Sequence, residues 1–333
     1  MTSAELQATF FKKIKENLAP QFALVDKVAE HLNISNDSAY RRIRGEKALT
    51  FDEIGILSAE FKISLDQFFT LDKGTEAFLF AGKFISRDKA DIEGFLLGLK
   101  TQLEYFNSFK EKEMIYLNKD IPIFHHFMFP ELASFKCYFW SRYNLNYPEY
   151  NKGQFSIADF DALFNSTGKQ ISDLYLQLPS TEVWNMDCIN LTLNQLDYCR
   201  QSKIFATRED NLTIYNCLEK LIEHIEAQVE EGVKFSHGQS PKTGTAKYRV
   251  FINEFVMGDN MVLLQLDNNR IVSLNHNVIN YVMTRDEKFV EYTYATVQSI
   301  LKKSALISEV GEKERRLFFD KLRDKIEHCR SKV

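Results

Sequence analysis

The chain has 333 residues, enough to bury a large core and, at ordinary domain sizes, to form about two domains. Lys and Arg number 42 against 46 Asp and Glu, so the formal net charge of -4 excludes a globally basic nucleic-acid binder and confines any such contact to a local patch. Only 6 prolines and 13 glycines are present, which argues against a turn-rich all-β fold.

In chain order, apolar positions at helical spacing (Leu6, Phe10, Phe11, Ile14, Leu18) predict a first helix over 3–18, stopped by Ala19-Pro20. A second helix is expected over about 22–32, with Leu24, Val25, Val28, Ala29 and Leu32 inward. Ser35 is a suitable N-cap for a third, Asn36 to about Arg44, with Gly45 as its stop. Thr50 and Glu53 have the spacing of a capping box for a fourth helix carrying Ile54, Leu57 and Phe61. Ser64 is placed to cap a short fifth, Leu65 to Phe69. A first domain over 1–70 and a polar linker at 70–75 follow.

From 77 to 333 the chain reads as a larger region. Helices are expected at Ala90 to Lys112, Phe124 to Tyr143, Ile157 to Leu178, Met186 to Gln201 and Asn211 to Val233. A short strand fits Met114 to Leu117. After a polar loop at 236–245, where a subdivision is conceivable, the period changes to two. Tyr248 to Met257, Met261 to Leu266 and Arg270 to Leu274 then read as a small antiparallel meander near 248–274. Helices return at Glu287 to Lys302 and Glu312 to Cys329. The expected class is mainly α: a five-helix N-terminal domain and a helix-rich α+β region.

The five cysteines are widely spaced with no Cys-x-x-Cys, as in a cytoplasmic protein with free thiols. Met1 to Glu16 is charged and amphipathic, unlike a signal peptide. The most apolar window, Ile121 to Trp140, carries His125, His126, Pro130, Glu131 and Lys136, too polar for a bilayer span, so no membrane partner is expected.

Neither a cofactor nor a metal is expected. His125 and His126 diverge by about 100° on a helix and lack partners at ligand spacing, so packing in an aromatic core is the simpler reading. Gly238 to Thr245 has the wrong spacing for a phosphate loop. No nucleophile elbow, zinc-protease motif or dinucleotide fingerprint occurs, and no catalytic residue is assigned.

The strongest chemical message lies in Leu24 to Gly45: two short helices, a tight turn and three arginines near the end of the second. The pieces Val28-Ala29-Glu30-His31-Leu32-Asn33-Ile34-Ser35, Tyr40-Arg41-Arg42-Ile43-Arg44-Gly45, Leu49-Thr50-Phe51-Asp52-Glu53-Ile54 and Ile63-Ser64-Leu65-Asp66-Gln67-Phe68-Phe69 follow in order. Residues 24–69 thus resemble the DNA-binding domain of the lambda-repressor-like helix-turn-helix regulators of the phage-repressor class. Asn33 stands where that family usually has glycine, and asparagine tolerates the left-handed conformation.

The resemblance implies a sequence-specific transcriptional regulator that binds double-stranded DNA as a homodimer. Asn36, Asp37, Ser38 and Tyr40 would face base edges, Arg41 would read a guanine or hold a phosphate, and Arg42, Arg44 and Lys47 would bind phosphates. Two departures stand out. The family often opens the second helix with Thr-Gln, whose amide grips the backbone; here Leu24 and Val25 occupy those positions. Asp37 repels phosphates unless it accepts a hydrogen bond from cytosine. Residues 77–333 would then sense a small-molecule effector, mediate self-association, or both. The alternatives are a protein-interaction module using the helical hairpin, and an enzyme in 77–333 tethered to DNA.

Overall fold

The computed structural model describes residues 2–18, 22–61, 63–65, 78–85, 91–151, 153–159, 164–242, 244–255, 258–277 and 279–333. The expected stop at Ala19-Pro20, most of the fifth helix and the linker lie outside them. Contacts divide the chain into two units, Met1–Leu79 and Phe80–Val333.

The first unit holds α1 (Ser3–Asn17), α2 (Leu24–Leu32), α3 (Asn36–Ile43) and α4 (Phe51–Glu60). Capping boxes close the starts of α1, through Thr2 and Glu5, and of α4, through Thr50 and Glu53. Such caps satisfy backbone N–H groups that a helix start leaves without partners. Phe10 and Ile14 of α1, Val28 and Ala29 of α2, Ala39 of α3 and Leu57 of α4 meet in one core. Each large apolar side chain buried there contributes about 1.5–3 kcal/mol.

The second unit is built on an 8-stranded mixed sheet in the order β1-β7-β6-β5-β2-β3-β4-β8. The strands are β1 (Ala81–Lys83), β2 (Lys112–Leu117), β3 (Ser180–Trp184), β4 (Tyr248–Ile252), β5 (Met261–Leu266), β6 (Asn269–His276), β7 (Asn280–Thr284) and β8 (Ala305–Leu306). The expectation of a mainly α chain with a small meander is therefore wrong: the fold is α+β. The antiparallel run is β2-β5-β6-β7-β1, whereas β4 lies on the far side of β2 and β3 and pairs parallel with β3. The very short β1 and β8 end the sheet, leaving little edge for another chain to pair with.

Helices cover both faces. α5 (Ile92–Asn107), α7 (Pro130–Phe139) and α8 (Lys169–Leu176) pack with Met114 of β2 and Leu264 and Leu266 of β5. On the opposite face α11 (Glu287–Lys302) covers Ile115, Leu263 and Val272. A further core joins Trp184 and Tyr248 to α9 (Asn190–Gln201), α10 (Arg208–Glu231) and α12 (Glu312–Arg330). The helix expected over 124–143 is two: α6 (Ile123–His126) ends before Pro130, which opens α7, and the chain continues as a wider π turn over Trp140–Asn144. All five cysteines are free thiols, four of them buried.

The central strand β3 carries a buried carboxylate. Glu182 accepts hydrogen bonds from His125 Nε2 (3.0 Å), Trp184 Nε1 (2.7 Å), Tyr248 Oη (2.9 Å), Asn118 Nδ2 (3.3 Å) and the Tyr175 hydroxyl. Burial works against its charge, but His125, Lys234 and Tyr175 outweigh it and hold the carboxyl down at about 2. Lys234 is equally buried, which disfavours its ammonium. Yet Nζ donates to the carbonyls of Tyr175 (3.1 Å) and Leu178 (2.9 Å) and to Ser180 Oγ (2.6 Å), and it stands 3.3 Å from the Tyr175 ring centroid. Three acceptors and an aromatic face match three ammonium donors, so we assign the charged form.

Candidate nucleic-acid interface

The α2–α3 hairpin turns on Asn33, whose φ of 51° and ψ of 49° put it in the left-handed region as the C-cap of α2. Asparagine adopts this conformation more readily than most side chains. Ser35 caps α3 by accepting from the Ser38 amide. Ala39 is fully buried beneath α3 and Ile43 packs beside it. Gly45, at φ 76°, turns the chain away after the helix.

This packing leaves Asn36, Asp37, Tyr40, Arg41 and Arg44 exposed on α3, with Lys47 exposed just beyond it and Ser38 half-buried. Asn36 is oriented by Asp26 of α2, to which its Nδ2 donates at 3.0 Å. The Arg44 guanidinium lies 5.5 Å from the Tyr40 ring centroid. Glu46 stands between two arginines, 3.9 Å from Arg41 and 3.7 Å from Arg44. At such exposure these pairs are worth well under about 1 kcal/mol each, so a phosphate can displace them.

Arg42 departs from its expected role as a phosphate contact. It is 4% exposed. Its Nε donates to both Glu53 oxygens at 3.1 Å, Nη2 to Oε1 at 2.5 Å, and Nη1 to the Ser38 carbonyl at 3.0 Å. These bonds hold the Glu53 carboxyl below its ordinary range, against the effect of partial burial. The same carboxylate accepts from Thr50 N, so one residue joins α3 to α4 and caps α4. The position within α3 explains the difference: Arg42 lies three residues after Ala39, on the packed side of the helix.

The sequence reading also missed Gln7. Its Nε2 donates to the carbonyls of Arg42 (2.7 Å) and Lys47 (2.8 Å), and its Oε1 accepts from Leu49 N (3.0 Å). α1 thus fixes the loop that carries Glu46 and Lys47. A polar residue on the inner side of α1, one turn before Phe10 and Phe11, was the available signal. Leu24 and Val25 are half-buried and pack against the core, so the opening of α2 offers neither an amide nor a side-chain cap.

The arrangement can present three cations and several hydrogen-bonding groups from one short helix and its following loop. The two histidines of α6 play separate parts in the second unit: His125 bonds Glu182 and His126 lines a cavity. Among the described residues no group of His, Cys, Asp and Glu could hold a metal, and no helix is long and apolar enough to cross a membrane. Comparisons with protein-family models, with curated proteins and with solved structures find no match to this chain.

Proposed function

We propose that the first unit is a sequence-specific DNA reader of the helix-turn-helix kind and that the protein regulates transcription as a homodimer. The observation that carries this reading is the outward face of α3. A capped, eight-residue helix presents Asn36, Asp37, Tyr40 and Arg41 together with Arg44 at its C-cap, while Ala39 and Arg42 anchor its other side. Residues at the start of such a helix reach base edges in the major groove, and cations near its end meet phosphates. Asn36 suits adenine and Arg41 suits guanine. Asp37 suits the amino group of cytosine and disfavours other bases at that position.

One such unit covers only a few base pairs. Two copies would set their recognition helices about 34 Å apart on a pseudo-palindromic site. The test is binding of full-length protein to duplex DNA as a function of salt. Neutralising each phosphate gives a slope of about -0.9 in log K against log salt. Replacing both Arg41 and Arg44 with alanine is expected to reduce the slope by about one per subunit, for the phosphate at Arg44, and weaken binding at least a hundredfold, with helicity unchanged. Equal affinity and slope in that variant would remove these arginines from the interface.

A further inference from the structure

Beneath α5, α6 and α7, against β2, β5, β6 and β7, the second unit forms an open-sided pocket of about 380 Å³. That falls within the usual range of about 300–1,000 Å³ for small-molecule sites. At about 30 Å³ per water it corresponds to about a dozen waters, or a ligand of similar atom count. Its walls are mainly apolar and aromatic, including Phe95, Phe106, Phe124, Val262 and Leu264.

Two buried polar atoms on lining residues have no hydrogen-bond partner among the described residues: His126 Nε2 and Trp140 Nε1. His126 is fully buried and Trp140 is 9% exposed. Leaving such an atom unpaired costs about 1–3 kcal/mol, so two of them on residues that line one cavity call for a ligand group to pair with. Their polarities differ and can be assigned. His126 Nδ1 lies 3.2 Å from the Pro122 carbonyl, which only accepts, so the proton is on Nδ1. Burial keeps the ring neutral, with Lys136 nearby adding to the effect. Nε2 is then an acceptor, while the indole N–H is a donor.

The other strong charges at this wall are matched. Lys136 Nζ donates to Asp120, Thr192 Oγ1 and Gln195 Oε1, each at 3.0 Å. Lys136 is paired with Asp120 and Lys119 with Asp259, so neither ammonium is left as a free charge to draw an anion. A charged ligand would also lose its hydration without a counter-charge, which costs several kcal/mol.

We propose that this cavity binds an uncharged, mainly aromatic or alicyclic small molecule bearing one hydroxyl, which donates to His126 Nε2 and accepts from Trp140 Nε1. The proposal stands on the second unit alone and does not depend on DNA binding by the first.

The experiment uses full-length protein and three probes of similar size: 2-naphthol, naphthalene and 2-naphthoate. Binding is read by ligand-observed NMR and thermal shift, with far-UV circular dichroism and tryptophan fluorescence of the ligand-free proteins as checks on folding. The expected order is 2-naphthol first, naphthalene at least tenfold weaker and 2-naphthoate weakest. His126→Phe and Trp140→Phe keep the rings but remove one polar atom each. Each should weaken 2-naphthol about tenfold and leave naphthalene unchanged. Leu264→Trp, which fills the space, should abolish both. The proposal is overturned if 2-naphthol shows no binding at millimolar concentration. It is also overturned if the three probes bind alike, or if naphthol binding survives unchanged in folded His126→Phe and Trp140→Phe proteins.

Discussion

Arg42 and its neighbours Arg41 and Arg44 are three basic residues within four positions, and the structure gives them opposite consequences. Replacing Arg42 with methionine keeps the buried alkyl stem and removes the guanidinium. The loss is the two-pronged contact with Glu53 and the bond to the Ser38 carbonyl. Breaking a buried ion pair by removing one partner costs about 3–5 kcal/mol. The Glu53 side chain is 16% exposed, so water can recover part of its hydration and about 2–4 kcal/mol is the expected cost.

Hydrogen exchange on the full-length protein measures this locally. At about 1.4 kcal/mol per decade, protection of the α3 and α4 amides should fall about 30- to 1,000-fold where exchange proceeds through opening of this unit. Protection in the second unit should not change. Glutamine also serves at the third position of a capping box, so Arg42→Met combined with Glu53→Gln should recover much of the loss. Arg41→Ala and Arg44→Ala should leave protection nearly intact. The reasoning fails if Arg42→Met leaves α3 and α4 as protected as before. It fails equally if a fully protected Arg42→Met protein loses as much DNA affinity as the Arg41 and Arg44 double variant.

Glu46→Gln removes the carboxylate that competes with phosphate for Arg41 and Arg44, and should tighten DNA binding several-fold at low salt; weaker binding would show that Glu46 orients those arginines instead. Glu182→Gln leaves a group with too few acceptor sites for five donors and should cost about 3–5 kcal/mol in urea unfolding of the second unit, whereas a loss under about 1 kcal/mol would mean the network carries little stability. His224 is held down to about 4 by burial, although its bond to the Phe235 carbonyl favours the proton. Its unfolded form binds a proton near pH 6.5, so the second unit should be most stable above that pH and lose stability as pH falls toward about 4. His224→Gln should flatten that slope by about one proton, and an unaltered slope would assign the loss to other groups. Glu53 also has a lowered value, so its contribution is present above the ordinary glutamate range and fades on acidification. Glu53→Gln should therefore remove part of the acid sensitivity of α3 and α4, read by the same exchange measurement.

Where residues speak locally, the sequence was a good guide. The capping signals at Ser35, Thr50 and Glu53, the turn at Asn33 and the inward pair Ala39 and Ile43 all act within a few positions, and helix boundaries in the first unit followed from them. What depended on distant partners was not legible. Arg42 looks like its exposed neighbours until Glu53 is brought against it across a helix boundary. Gln7 stands on the inner side of α1, but its partners are set only when the loop at 47–49 folds onto it.

The sheet was hidden for a related reason. β3 is Ser-Thr-Glu-Val-Trp, which shows no alternation because both of its faces are buried. Its glutamate argues against a central strand until five donors surround it. β4, β5 and β6 were visible as strands, yet their period could not tell that β4 pairs parallel with a strand 68 positions earlier, as in Tyr248 with Ser180. The cavity was equally silent, since its walls come from four helices and four strands.

We propose that the exposed face of α3 reads DNA. This is tested most directly by random-sequence duplex selection with the full-length protein, followed by sequencing of the bound pool. The account predicts an enriched pseudo-palindrome with half-sites about 10 base pairs apart, centre to centre, and loss of that enrichment when Arg41 and Arg44 are both alanine. A pool with no enriched sequence, or the same motif enriched by the double variant, would contradict it.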